Sequence, residues 1–294
     1  MSGSRRIAAF SVALLAVFSA AALVGGTIYP SGSEAEEGSE SAHAESDETA
    51  HGAHGSESQE TESSSAPPGL QVYEDGYRLV AERTRFQASK APSRFSFTIV
   101  DADGQPIRDF EVEHEKEMHF IVVRRDFGTF EHLHPTMASD GTWTVDVDLT
   151  AAGVYRAYAD FNAGGQKRAL GTDLHVGGSY RPELLPEEKL KTRTESGLEV
   201  LLSTTGSDGE EGLVEFEVRD DGEVVNAGLG TYLGAAGHLV ALRADDLAYL
   251  HTHPDSDELA FMTEYPSAGS YRMYVQFRYE GEIHTAAFTR EVSE

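Results

Sequence analysis

The sequence predicts an all-β protein: two tandem β-sandwich domains, immunoglobulin-like or cupredoxin-like, after an N-terminal transmembrane helix and a disordered linker. Three observations lead there. One unit is repeated along the 294-residue chain, its apolar residues alternate with period two, and no segment beyond residue 30 carries a helical period. The elements follow in chain order.

Arg5 and Arg6 precede Ile7–Tyr29, 23 residues without a charge. About 20 apolar residues suffice for a helix to cross a bilayer, so residues 1–30 read as a membrane anchor. The positive flank is N-terminal and the following flank acidic, which orients the rest of the chain outside the cytoplasm. A cleavable signal is the rival reading, because Ser19-Ala20-Ala21-Ala22 supplies small residues after an apolar run. Apolar character continuing through Val24, Ile28 and Tyr29 favours the anchor. Under either reading the folded part works outside the cytoplasm, as a single-pass membrane protein or as a secreted one.

Residues 31–69 are rich in Ser, Glu, Ala and Gly, and hold ten acidic residues and no basic one. Such a segment buries too little apolar surface to fold, and its charge extends it. It reads as a solvated spacer; the alternative, from His43, His51 and His54, is weak metal capture by a mobile His/Glu tail.

The repeat occupies residues 70–177 and 190–294, joined by a Pro/Gly connector. His119-Phe-Ile-Val-Val-Arg-Arg-Asp-Phe-Gly-Thr-Phe-Glu-His132-Leu-His134-Pro135 aligns without a gap to the block running from His238 to Pro254. Six of these 17 positions are identical, and three of the six are histidine. Downstream, Ala152-Gly-Val-Tyr matches Ala268-Gly-Ser-Tyr. Phe95, Phe97 and Ile99 share one side of a run, as do Trp143, Val145, Val147 and Leu149, and Tyr271, Met273, Val275 and Phe277. Asp103-Gly104, Asp140-Gly141, Asp221-Gly222 and Glu280-Gly281 mark turns between runs. Short alternating strands with frequent turns make sandwiches.

Composition narrows the function. Fifty Asp and Glu against 23 Lys and Arg give a net charge of −27, which excludes a nucleic-acid partner and a polybasic grip on anionic lipid. There is no cysteine, so disulfides, thiolate metal sites and Cys nucleophiles are ruled out. The 12 histidines remain as the main borderline metal ligands, with only five methionines beside them.

The repeated block reads as a hairpin. If Arg125 pairs with Gly128 at the turn, His134 falls opposite His119 and His132 opposite Ile121, with all four side chains on one face. Directly paired Cβ atoms lie about 4.5–5.5 Å apart, close enough for three imidazoles to converge on one ion. The same register in the second copy sets His253 opposite His238, with His251 beside it. The candidate metal ligands are therefore His119, His132 and His134 in one repeat and His238, His251 and His253 in the other. A lone histidine on such a strand is ordinarily a packed, hydrogen-bonded residue; retention of all three in two diverged copies favours the metal. His114 becomes Leu233 in the second copy and is at best an extra ligand. Asp160 could complete an N3O site, although Gln276 takes its place in the second copy. His175 and His284 read as surface or packing residues, and Met118 should point to the opposite face.

Met118-His-Phe-Ile-Val-Val-Arg-Arg-Asp followed by His132-Leu-His134-Pro resembles secreted bacterial proteins of the YtkA-like type, and more loosely CopC-type copper-handling sandwiches. The resemblance covers the two folded units. It implies an extracytoplasmic β-sandwich concerned with copper or other heavy metals. The Met-poor sites depart from the CopC-like pattern for Cu(I).

The function expected from these residues is non-enzymatic: a membrane-anchored protein that captures or buffers copper or zinc through three histidines in each repeat. Imidazole suits Cu(II) and Zn(II). The alternatives are a structural or adhesive pair of immunoglobulin-like domains without metal, and an enzyme with an open three-His site, for which no repeated general acid or base stands beside the triad. No protein partner is indicated.

Overall fold

The computed structural model describes residues 67–205, 211–250, 252–254 and 258–293. The expected anchor, at residues 1–30, lies outside the described residues, as does the linker up to residue 66. No helix among the described residues is long and apolar enough to cross a membrane. Apart from one 3-10 turn at Asn226–Gly228, the described elements are strands.

The first sandwich begins with β1 (Tyr73–Glu74), β2 (Tyr77–Ala81), β3 (Arg85–Gln87), β4 (Ser93–Val100) and β5 (His119–Arg124). It continues with β6 (Phe130–Leu133), β7 (Thr136–Met137), β8 (Thr142–Val147), β9 (Gly153–Ala163) and β10 (Gln166–Gly177). One sheet has the order β1-β2-β4-β8-β7 and the other β3-β10-β9-β5-β6. The alternating rows meet between them. Phe95, Phe97 and Ile99 of β4 and Trp143 and Val147 of β8 pack with Phe120 and Val122 of β5 and with Met118 just before it. Each such side chain contributes ~1.5–3 kcal/mol when fully buried.

The second sandwich opens with β11 (Lys191–Arg193), β12 (Glu199–Thr204), β13 (Glu211–Asp220), β14 (Glu223–Val224) and β15 (Gly237–Arg243). Then come β16 (Tyr249–Leu250), β17 (Thr252–Pro254), β18 (Ala260–Glu264), β19 (Gly269–Tyr279) and β20 (Glu282–Val292). Its sheets run β11-β12-β13-β18-β17, with β14 on β13, and β16-β15-β19-β20. Each copy carries a tyrosine corner of the immunoglobulin kind. The Tyr155 hydroxyl donates to the Ala151 carbonyl at 2.8 Å, and the Tyr271 hydroxyl to that of Ser267 at 2.6 Å. The matched Ala-Gly-x-Tyr runs of the sequence encode this pair.

An antiparallel sheet commonly leaves one face to water. Here β5 is buried along its whole length. Met118, Phe120 and Val122 enter the core of their own sandwich, while Ile121 and Val123 turn outward and meet Val240, Leu242, Leu247, Tyr249 and Tyr274 of the second. The contact is reciprocal. Phe130 stacks on Tyr274 with centroids 3.8 Å apart; Tyr249, in Phe130's place in the second copy, lies 5.6 Å from Tyr158, in Tyr274's place in the first.

The linker's expected end is corrected here. Gly69 is built into the domain junction. Its amide donates to the Ala169 carbonyl at 2.8 Å, its carbonyl accepts from Arg156 Nη2 at 2.6 Å, and the neighbouring Pro68 carbonyl accepts from the Tyr249 amide at 2.9 Å. With φ at +78° and a Cβ position 2.7 Å from the Tyr158 ring, the site takes only glycine without strain. A low-complexity run followed by Pro67-Pro68 hides this role, because the partners lie in two distant parts of the chain.

Candidate metal centre

The ladder between β5 and β6 pairs Phe120 with Leu133 and Ile121 with His132, the register expected from the sequence. Strand alternation then turns His119, His132 and His134 to the face that carries Ile121 and Val123. One ring nitrogen from each of the three lies within 4.8 Å of the others. His119 is buried, 4% exposed, while His132 and His134, on and just after the edge strand β6, are half-buried; the second sandwich covers the neighbouring Ile121 and Val123.

Hydrogen bonds fix two of the rings. His132 Nδ1 is 2.7 Å from Gln276 Oε1, and the Gln276 amide nitrogen donates to Thr285 Oγ1 at 3.2 Å. With the amide so oriented, His132 Nδ1 holds the proton and Nε2 is bare. His119 Nε2 faces the Glu113 carbonyl at 3.1 Å, an acceptor only, so it donates and leaves Nδ1 bare. The two bare nitrogens approach to 3.0 Å. Two lone pairs at that distance repel unless a cation lies against them. His134 Nε2 is also buried without a hydrogen-bond partner in the protein.

Burial holds the rings neutral, the form that ligates metal. It pushes His132 down to about 3 and His134 to about 4, with the neighbouring His119 adding to both, and it lowers His119 and His114.

The second repeat departs from the expected arrangement. β15 and β16 keep the predicted register, Ala241 with Leu250 and Leu242 with Tyr249. The chain then crosses to the other sheet, where His253 pairs with Met262 of β18 instead of His238. The Thr252 hydroxyl donates to the Leu239 carbonyl at 2.9 Å where the ladder stops. His251 lies outside the described residues. His238 joins the first cluster, with ring centroids 4.7 Å from His132 and 5.3 Å from His119.

His114 comes from a tight turn in which it and Glu115 adopt positive φ of 47° and 65°, and its ring lies 5.7 Å from that of His238. A cavity of about 30 Å³ adjoins the cluster, lined among others by His114, His119, His238, Glu113, Asp160 and Tyr249. Asp160 pairs with His119 across the ladder, but its carboxylate accepts from the Tyr249 hydroxyl at 3.0 Å, and burial raises its pKa to about 6. Met118 faces the core as expected. His175 is exposed on β10. His284 bonds Ser196 and the Tyr279 carbonyl, within the second sandwich. The residue missed from sequence is Gln276. Its alternation with Tyr274 set it on the buried face, yet its contact with His132 spans the two repeats.

A family model described as a domain of unknown function, DUF8832, matches residues 71–178 and again residues 192–294. No curated protein sequence matches the chain. Among solved structures, similarity to a Salmonella alpha-2-macroglobulin mutant has 12% identity and a TM-score of 0.26, covering 77% of this chain and 15% of that one. Chicken CNTN1 FN1–FN3 domains give 11% identity and a TM-score of 0.22, with 78% and 66% of the two chains covered. A two-domain fibronectin type-III segment of chicken tenascin gives 8% identity, a TM-score of 0.22, and coverage of 73% and 97%. At these scores the fold rests on the sheets described above.

Proposed function

The chain belongs to the DUF8832 domain family, which it matches twice, and we propose that this paired unit captures or buffers copper or zinc ions. The reading takes it to be an extracytoplasmic, membrane-anchored and non-enzymatic protein. The observation that carries the metal is the convergence of His119, His132 and His134, with two ring nitrogens bare and the third buried without a partner in the protein. Both outer nitrogens of the first two rings donate to protein oxygens, the arrangement by which metal-ligating histidines are oriented. All-imidazole ligation suits Cu(II) and Zn(II), and the general affinity order favours Cu(II).

The adjoining cavity of about 30 Å³ has room for an ion with a water or two, since one water needs ~10–15 Å³. An acidic surface raises the local concentration of cations.

The test is calorimetric titration of the full chain, without a histidine tag, with Cu²⁺ and Zn²⁺. The wild type is expected to bind an ion that His132→Ala/His134→Ala does not; the linker histidines contribute equally to both. A second reading rests on the 3.0 Å approach of His119 and His132. Turning the Gln276 amide over makes these atoms a proton-satisfied chain, a structural feature of a metal-free pair of domains. It predicts equal, weak uptake by both proteins and lower stability of the variant.

A further inference from the structure

We propose that the metal centre is shared by the two sandwiches, with His238 as its fourth ligand, so that one ion ties the second domain to the first. This rests on the metal reading above and adds a ligand from the other half of the chain.

His238 approaches His132 and His119, with ring centroids 4.7 and 5.3 Å apart, and the rings of His119, His132 and His134 lie 4.9–5.3 Å from one another. Two imidazoles on one tetrahedral ion at ~2.0–2.1 Å per nitrogen set their centroids ~5 Å apart, a spacing His238 meets toward two of the three rings. His238 Nε2 is buried and has no hydrogen-bond partner in the protein. Its strand carries it into place: His238 heads the row completed by Val240 and Leu242, as His119 heads the row of Ile121 and Val123, and the two rows pack together. Directly beside His238 across the β15–β19 ladder is Gln276, whose side chain orients His132. The second sandwich therefore contributes one ligand and the support of another. Four neutral ligands leave the charge of a divalent ion uncompensated. Asp160 and Glu113, which line the adjoining cavity, supply negative charge beside it.

Ligands drawn from both halves make ion binding and domain docking one equilibrium. The experiment titrates the full chain with Cu²⁺, and separately with Zn²⁺, in wild type, His238→Ala, His132→Ala/His134→Ala and the exposed control His175→Ala. Loss of an outer-shell support typically costs about 10–100-fold in affinity, so loss of a ligand should cost at least that much. His238→Ala is expected to bind at least about tenfold more weakly, and His175→Ala as wild type. Electron paramagnetic resonance of the copper protein should resolve four coordinated nitrogens in wild type and three in His238→Ala, a change that altered folding alone would not produce. His238→Ala with wild-type affinity and an unchanged spectrum, while the double variant loses the ion, overturns the shared site and leaves the metal reading standing. Wild type taking up no ion beyond the double variant overturns both.

Discussion

His132 uses its two nitrogens for different tasks: Nδ1 is held by Gln276 across the domain junction, and Nε2 is left facing His119. Gln276→Leu removes the acceptor that sets the tautomer, and should weaken Cu²⁺ or Zn²⁺ binding about 10–100-fold in calorimetry. Burial also sets the pH range. Because the pKa values of His132 and His134 are pushed to about 3 and about 4, their rings stay deprotonated well below the ordinary histidine range. Affinity should hold to pH 5 and fall towards pH 4, where an exposed triad would lose it near ~6.5. The metal-free protein follows the same groups. Between those depressed values and the unfolded pKa, the unfolded state binds more protons, so the histidine contribution is complete above ~6.5 and is lost as pH falls. Asp160 and Glu131, raised to about 6 and about 7 by burial, act in the opposite sense. Denaturant titration should therefore be read as the difference between wild type and His132→Ala/His134→Ala across this range. Sequence identified the three rings because they recur at fixed spacing. It could not identify Gln276 as their support, since that contact joins residues 144 apart.

The hairpin of β5 and β6 was legible because both copies keep the same number of residues between equivalent histidines, and alternation does the rest. Its turn is closed by the Arg124 amide donating to the Thr129 carbonyl at 3.0 Å and that of Phe127 to the Arg124 carbonyl at 2.7 Å. Inserting one glycine between Phe127 and Gly128 would disturb this closure and shift the register. A one-residue slip sends His132 and His134 to the core face and Leu133 outward. The variant should lose metal binding in titration and melt at a lower temperature, whereas wild-type affinity would show that the triad does not depend on the register. The crossing after Leu250 was not legible. Pairing of Thr252–Pro254 with β18 is a competition between two sheets, settled by packing around them and not by the local pattern.

At the scale of the whole molecule, the sequence indicated two sandwiches but not the surface between them. Ile121, Val123, Val240 and Leu242 read as ordinary strand residues; only the assembled pair buries them. Gly69 belongs to that surface. A chain beginning at Leu70 should melt at a lower temperature than one beginning at Pro67, since it loses the Gly69 bonds to Ala169 and Arg156 and the Pro68 bond to Tyr249. Gly69→Ala should destabilise by about 1–3 kcal/mol through overpacking against Tyr158, with further strain from its positive φ; an unchanged denaturation midpoint would count against the wedge.

The reciprocal contacts of Phe130 with Tyr274 and of Tyr249 with Tyr158 bear on ancestry. Swapped equivalents across one contact are the signature of twofold association. The two copies thus meet as the halves of a dimer would, and a lone copy would leave Ile121, Val123 and Tyr158 facing water. Residues 67–178 on their own should self-associate in sedimentation, and a well-behaved monomer would refute that descent. Fusion frees the halves from being identical. A true homodimer must place the same side chain on both sides of its axis, while this chain sets His114 beside His238 in one turn and has Leu233 in the other.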